Sequence, residues 1–153
     1  QVIERLTNQK PQIKWVNDIY LNQQKICGIL TEAVTDFESG NVEYLILGIG
    51  LNVHTKHFPV ELQAIAGSLN PEVVTRNQIC AHLLLCEDFS HPFLLDEYKS
   101  RSNVLGKWIT FIQNQQRYEA LAEDIDGQGG LKVRLKSGEQ MTLNSGEVSI
   151  RWR

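Results

Sequence analysis

From Tyr44 to Leu51 no polar side chain interrupts the chain, and Val42 to Val53 is apolar at nearly every position, with Gly48 and Gly50 inside the run. The stretch is far too short to cross a membrane as a helix. An apolar run of this length, entered from the polar turn Asp36 to Asn41, is expected as a strand covered on both faces and therefore central in its sheet. A hairpin precedes it. Residues 12–16 and 19–21 alternate roughly as strand with Asn17-Asp18 as a kink, Asn22-Gln23-Gln24-Lys25 makes a polar tip, and Ile26 to Thr31 continues as a second apolar strand.

Helical spacing frames these strands. Val2, Ile3 and Leu6 share a helical face that Pro11 stops, so residues 1–9 read as the end of a helix. Thr75 with Gln78 has the form of a capping box, and Ile79, Leu83, Cys86 and Phe89 follow on one face. That helix is expected to reach about Asp88, where Ser90-His91-Pro92 breaks it; a second runs from Phe93 to about Lys99. Near Gly106 the pattern changes. From Lys107 onward five short β-like runs alternate with polar, glycine-bearing turns, the signature of a small all-β barrel. The expected division is residues 1–105 and 106–153.

Composition narrows the partners. A chain of 153 residues with 42% hydrophobic and 22% charged residues has an ordinary core to bury. Lys+Arg 15 against Asp+Glu 18 gives a net charge of -3 with no long block of either sign, so no footprint for nucleic acid or anionic membrane exists. A small molecule or a protein is the better partner. Cys27, Cys80 and Cys86 are odd in number and lack a disulfide-framework spacing, which favours a reducing compartment, the cytoplasm. Cys80 and Cys86 are expected to be core or half-buried.

The chemistry-bearing candidates are few. His54 and His57 are a weak metal pair, with no cysteine or carboxylate cluster beside them in sequence. Gly48-Ile49-Gly50 lacks the third glycine and the following helix of a dinucleotide loop. Glycines inside strands instead let something approach the backbone, either a neighbouring strand or a flat ligand, and Gly28 adds a third such position. The densest polar set is Lys14-Trp15-Val16-Asn17-Asp18, with Lys25 shortly after. Taken alone that set is a turn with aromatic cover. A lysine at the start of a buried strand beside such glycines is placed to hold a carboxylate or phosphate, as activation of a carboxylic acid requires.

Three segments carry a resemblance: Lys14-Trp15-Val16-Asn17-Asp18-Ile19-Tyr20-Leu21, then Lys25-Ile26-Cys27-Gly28-Ile29-Leu30-Thr31-Glu32, then Gly48-Ile49-Gly50-Leu51-Asn52-Val53. In order and spacing the sequence resembles the biotin protein ligases. Phe58-Pro59, Ser68-Leu69 and Ser145 to Arg151 are similar to that family as well. Val16 stands where the family usually has Pro, and Cys27 where it has Ala. The resemblance implies an α+β fold, a mixed sheet with helices as in class II synthetases, here incomplete, followed by a small SH3-like barrel.

What it implies about function is specific: activation of biotin with ATP and Mg2+ to biotinyl-adenylate, then transfer of biotin to a lysine of a biotin carboxyl carrier protein such as that of acetyl-CoA carboxylase. By this resemblance Lys25 and Asp18 are catalytic. Lys25, Gly28, Gly48, Gly50 and Trp15 border biotin, while Asn17, Asn52, Glu147 and Arg151 serve the nucleotide. No resident metal is implied. The family's Gly-Arg phosphate loop lies upstream of these motifs and has no counterpart here, so the 153 residues alone are expected not to make biotinyl-adenylate. DNA would be reached only through an upstream domain, and a homodimer is possible in the family. The alternatives are a truncated chain serving dimerisation or carrier docking, and an adaptor whose barrel binds peptides.

Overall fold

The structure, a computed structural model, describes residues 1–36, 38–85 and 93–150. Among the described residues, two antiparallel sheets and three short α-helices make an α+β fold. The first sheet has the order β1-β2-β3-β4, from Gln12–Lys14, Asp18–Leu21, Gln24–Thr35 and Val42–Leu51. The second has the order β8-β7-β6-β5-β9, from Trp108–Gln113 (β5), Gln116–Ile125 (β6), Leu131–Leu135 (β7), Gln140–Leu143 (β8) and Val148–Ile150 (β9). Among the described residues, the parallel component of the expected mixed sheet is two isolated bridges, Ile13 with Ser102 and Lys25 with Ala66.

Local chemistry accounts for most element ends. Helix α1, Val2–Thr7, closes on Asn8 in the left-handed conformation at φ 54°, with Asn8 N–H donating to Glu4 O. Asn22 and Gln23 both have positive φ, as a two-residue turn between twisted strands demands, and Asn114-Gln115 repeat the device between β5 and β6. Helix α2, Arg76–Leu84, starts on the expected capping box: Gln78 N–H donates to Thr75 Oγ1, and Thr75 N–H donates to Gln78 Oε1. It ends at Leu84, short of the expected Asp88, and Cys86 and Phe89 of its expected apolar face lie outside the described residues. Cys80 is exposed, against expectation, because it follows buried Ile79 and so points about 100° away from the covered face. Helix α3, Leu94–Ser100, agrees with the spacing.

The largest correction concerns β4. It pairs with β3 over a long antiparallel register from Cys27–Leu51 to Thr35–Val42, yet it is the edge strand of its sheet and is exposed at every position from Val42 to Gly50. An apolar run states that a strand needs cover on two faces; it does not state where the cover comes from.

Two cores result. Ile26, Cys27, Val53, Leu69 and Ile79 form a small one under the first sheet. Val104, Ile109, Phe111, Ala120, Ala122, Ile125, Leu131, Val133, Leu143 and Val148 form a larger one within the second, and Trp15 belongs to it. The Trp15 indole N–H donates to Gly129 O at 2.9 Å, which joins the turn after β1 to the second sheet.

Candidate active site

A break in strand alternation builds the site. Tyr20 pairs with Lys25 and Ile19 with Cys27, so Ile26 is the extra residue of a bulge in β3. Lys25 and Gly28, three apart, would face opposite sides of a regular strand. The bulge brings both to the face of Asp18 and Tyr20. Lys25 is held there by its backbone, which donates to Ile65 O and accepts from Gly67 N–H. Gly67 permits that approach, since a Cβ there would stand 2.8 Å from Gln24 Cβ.

Lys25 Nζ lies 2.6 Å from Asp18 Oδ1, the lysine half-exposed and the aspartate mostly buried. Gly28 makes room for this pair: a Cβ would meet Lys25 Cε at 3.3 Å and Nζ at 3.4 Å. Gly48 and Gly50 differ. A Cβ on either would meet only strand β3 at ordinary contact distance, 3.7 Å from Leu30 O and 3.8 Å from Gly28 O respectively. A neighbouring strand therefore does not require glycine at these two positions. What the missing side chains leave is space: a cleft of about 780 Å³ over the sheet, lined by Lys14, Trp15, Asn17, Asp18, Lys25, the three glycines and Glu147, among others.

The remaining expected residues fall into two groups. Asn17 sits at the cleft, its side-chain amide N–H donating to Ile29 O and its backbone carbonyl accepting from Ile29 N–H. The turn that carries it is pinned by α3, because the Tyr98 hydroxyl donates to Val16 O at 2.8 Å; burial pushes that phenol up to about 12. Glu147 reaches the cleft from the turn before β9. Asn52 does not line it. Its side chain donates to Gly67 O at 3.1 Å and so braces the segment that brackets Lys25. Arg151 lies outside the described residues. Sequence reasoning gave Lys14 no role, yet its ammonium stands 4.0 Å from Asp18 Oδ2 and 3.8 Å from Glu147 Oε1. The Lys14–Asp18 motif was a usable signal; nothing in the sequence pointed to the Tyr98 contact.

Electrostatics separates the two faces of the sheet. Burial first, and then the Asp18 carboxylate, raise the Tyr20 phenol above its ordinary value on the site face. On the opposite face Cys27 and Ile29 border an apolar cavity of about 620 Å³ against α2 and α3, and burial pushes the Cys27 thiol up to about 11. That thiol stays protonated at neutral pH and is a packing group. Among the described residues no group of three His, Cys, Asp or Glu could hold a metal ion, and no helix is long and apolar enough to cross a membrane.

A lysine–aspartate pair in a glycine-floored cleft suits handling of an acyl or phosphoryl anion, and residues 2–52 match the biotin/lipoate A/B protein ligase family. Residues 104–151 match the biotin protein ligase C terminal domain. The chain is 42% identical over 91 residues to the bifunctional ligase/repressor BirA of Bacillus subtilis, covering 56% of this chain and 27% of that protein. It is 30% identical over 147 residues to the biotin–[acetyl-CoA-carboxylase] ligase of Mycobacterium tuberculosis, covering 89% of this chain and 52% of that one. In fold it is similar to the biotin protein ligase from Aquifex aeolicus, with a TM-score of 0.77 at 23% identity over 98% of this chain and 68% of that one. A further structure of the Aquifex protein, in complex with biotin and ATP, gives a TM-score of 0.70 at 21% identity, covering 98% of this chain and 66% of that one. The chain thus spans about half or less of these curated relatives. With both domain matches present and in order, it belongs to the biotin protein ligase family.

Proposed function

We propose that this chain takes part in ATP-dependent activation of biotin to biotinyl-adenylate, with Mg2+ entering on the nucleotide, and in transfer of biotin to a lysine of a biotin carboxyl carrier protein. The observation that carries the reading is the Lys25–Asp18 pair, 2.6 Å apart, at a cleft floored by Gly28, Gly48 and Gly50. Relatives bearing the ligase name, and the Aquifex neighbour holding biotin and ATP, support it. Lys25 neutralises charge at the biotin carboxylate and the acyl phosphate, where preorganised cations lower the barrier most. Asp18 orients that ammonium and the incoming amine. The glycines border the biotin rings, and Trp15, its ring packed into the second core, backs the cleft behind them. Asn17 borders the nucleotide, Glu147 stands at the phosphate end of the empty cleft, and Asn52 acts through the 67–69 segment; Arg151 joins the nucleotide set by resemblance alone.

Residues 1–105 then act as the catalytic part and 106–153 as an SH3-like C-terminal domain, in a reducing cytoplasm that keeps Cys27 and Cys80 as free thiols. A charge-assisted contact is worth about 1.5–3 kcal/mol, so Lys25→Ala in the complete protein should slow biotin-dependent exchange of pyrophosphate into ATP about 10- to 100-fold or more. Wild-type exchange in a folded Lys25→Ala protein would sink the assignment. Lys25→Arg should rescue poorly, because a planar, delocalised guanidinium does not reproduce the compact ammonium held 2.6 Å from Asp18 Oδ1. A second reading, a dimerisation or carrier-docking module without turnover, is favoured by the exposed apolar face of β4. Adenylate formation by the purified 153-residue chain, with and without a separately supplied segment carrying the family's Gly-Arg loop and set beside its mass in solution, decides between the two: turnover restored by the segment supports the ligase reading, and no turnover in either case supports the docking module.

A further inference from the structure

Lys14 is an ammonium in an unusual position. Its side chain is only 8% exposed, yet its nearest carboxylates stand at 3.8 and 4.0 Å, beyond hydrogen-bonding distance, and it makes no hydrogen bond among the described residues. Asp18 is already committed to Lys25 at 2.6 Å. The other carboxylate, Glu147, has a side chain 86% exposed and comes from the turn after Gly146, whose φ is 108°. The face of the Tyr20 ring, its centroid 5.7 Å from the ammonium, adds a cation–π contact but accepts none of its N–H bonds, so a better anion arriving from solvent would gain what Glu147 does not supply. The charge balance points the same way. Lys14 and Lys25 against Asp18 and Glu147 sum to zero, and withdrawal of Glu147 leaves one net positive charge at the head of the cleft.

We propose that Lys14 is a second cationic contact of this site, for the phosphate chain of the nucleotide or the pyrophosphate it releases, and that Glu147 occupies that seat in the empty protein and gives way to the anion. The identity of the anion rests on the ligase reading; the seat itself rests on the geometry of Lys14. Lys14 and Lys25 then flank Asp18, which separates two anions that the reaction must keep apart: Lys25 takes the carboxylate and acyl phosphate, and Lys14 takes the departing phosphates. Glu147 couples the second sheet to occupancy of the first.

The test is calorimetric titration of the 153-residue chain with inorganic pyrophosphate, comparing wild type, Glu147→Gln and Lys14→Met. Glu147→Gln should tighten pyrophosphate binding by about two- to fivefold, the range an exposed ion pair spans. Lys14→Met should weaken it about tenfold or more, the share of one charged hydrogen bond. Unchanged or weaker binding in Glu147→Gln overturns the proposal, and so does the absence of binding to both wild type and that variant. Since Glu147 is on the surface, this arm stands even where Lys14→Met fails to fold. Biotin, titrated in parallel, should respond less to Glu147→Gln; equal tightening overturns the assignment to phosphate. Pyrophosphate binding with the expected pattern, beside wild-type exchange in Lys25→Ala, would keep the anion seat and remove the ligase role of Lys25.

Discussion

The two sheets answer the same requirement in opposite ways. Strand β7 alternates buried Leu131 and Val133 with exposed Lys132 and Arg134, and one core satisfies its one apolar face. Every strand of the second sheet contributes to that core, in which Val104, Ile109, Ala120, Ala122, Ile125, Leu131 and Val133 are fully buried. Strand β4 does not alternate: Tyr44, Leu45, Ile46 and Leu47 are consecutive, and Leu45 remains 62% exposed. Its backbone is well paired along β3, while its side chains from Val42 to Ile49 stay about half exposed and only Leu51 packs against the first core. Hydrogen-bonded pairing and burial are thus settled separately. The self-sufficient sheet is the one without the Lys25–Asp18 pair; the sheet that holds the site keeps an open face.

The strongest way to break this comparison is through the cores. Ile109→Ala in the fully buried second core should cost about 2–5 kcal/mol in urea unfolding, whereas Ile46→Ala on exposed β4 should stay within about 0.5 kcal/mol. Equal losses would show that β4 is packed in solution. Next in size, Thr75→Ala removes the cap of α2, a helix that covers the first sheet through Ile79, and should cost about 1 kcal/mol. Hydrogen exchange should then quicken in α2 and leave β5 to β7 unchanged.

A smaller effect lies at the join between the halves, where Lys99 Nζ meets Asp124 Oδ1 at 2.7 Å. That hydrogen bond, with one from the Ile125 backbone, holds the Asp124 carboxyl below its ordinary value. A carboxyl lowered in the folded state adds stability above its unfolded pKa, about 3.9, and loses it as pH falls through the lowered value. Lys99→Ala should therefore remove about 0–1 kcal/mol at pH 7 and almost nothing at pH 2, read from urea midpoints at the two pH values. The smallest expected change in stability, within about 0.5 kcal/mol, belongs to Leu47→Ser. Its readout is instead association: sedimentation should show less self-association than wild type, since an exposed apolar edge is a template for pairing. Unaltered association would place the sticky surface elsewhere.

Local rules read from the sequence alone determined much of this protein. Pro11 marked the end of a helix, Thr75 and Gln78 began one, the polar tips at Asn22-Gln23 and Asn114-Gln115 made turns, and the shift to short β-runs near Gly106 marked the second sheet. Each of these depends on a few adjacent residues, and so each was legible. The motif residues Asp18, Lys25, Gly28, Gly48 and Gly50 were also legible as a set, and the structure brings them to one cleft. Tertiary structure decided the rest. The bulge at Ile26 puts Lys25 and Gly28 on one face, which residue spacing argues against. The edge position of β4 follows from which partners are at hand, a matter beyond its own composition. Trp15 packs into the second core, Asn52 turns from the cleft to Gly67, and Lys14 meets Glu147, 133 positions away. Contacts between residues distant in sequence leave no periodic trace in either segment, because neither segment alone contains the distance that makes them.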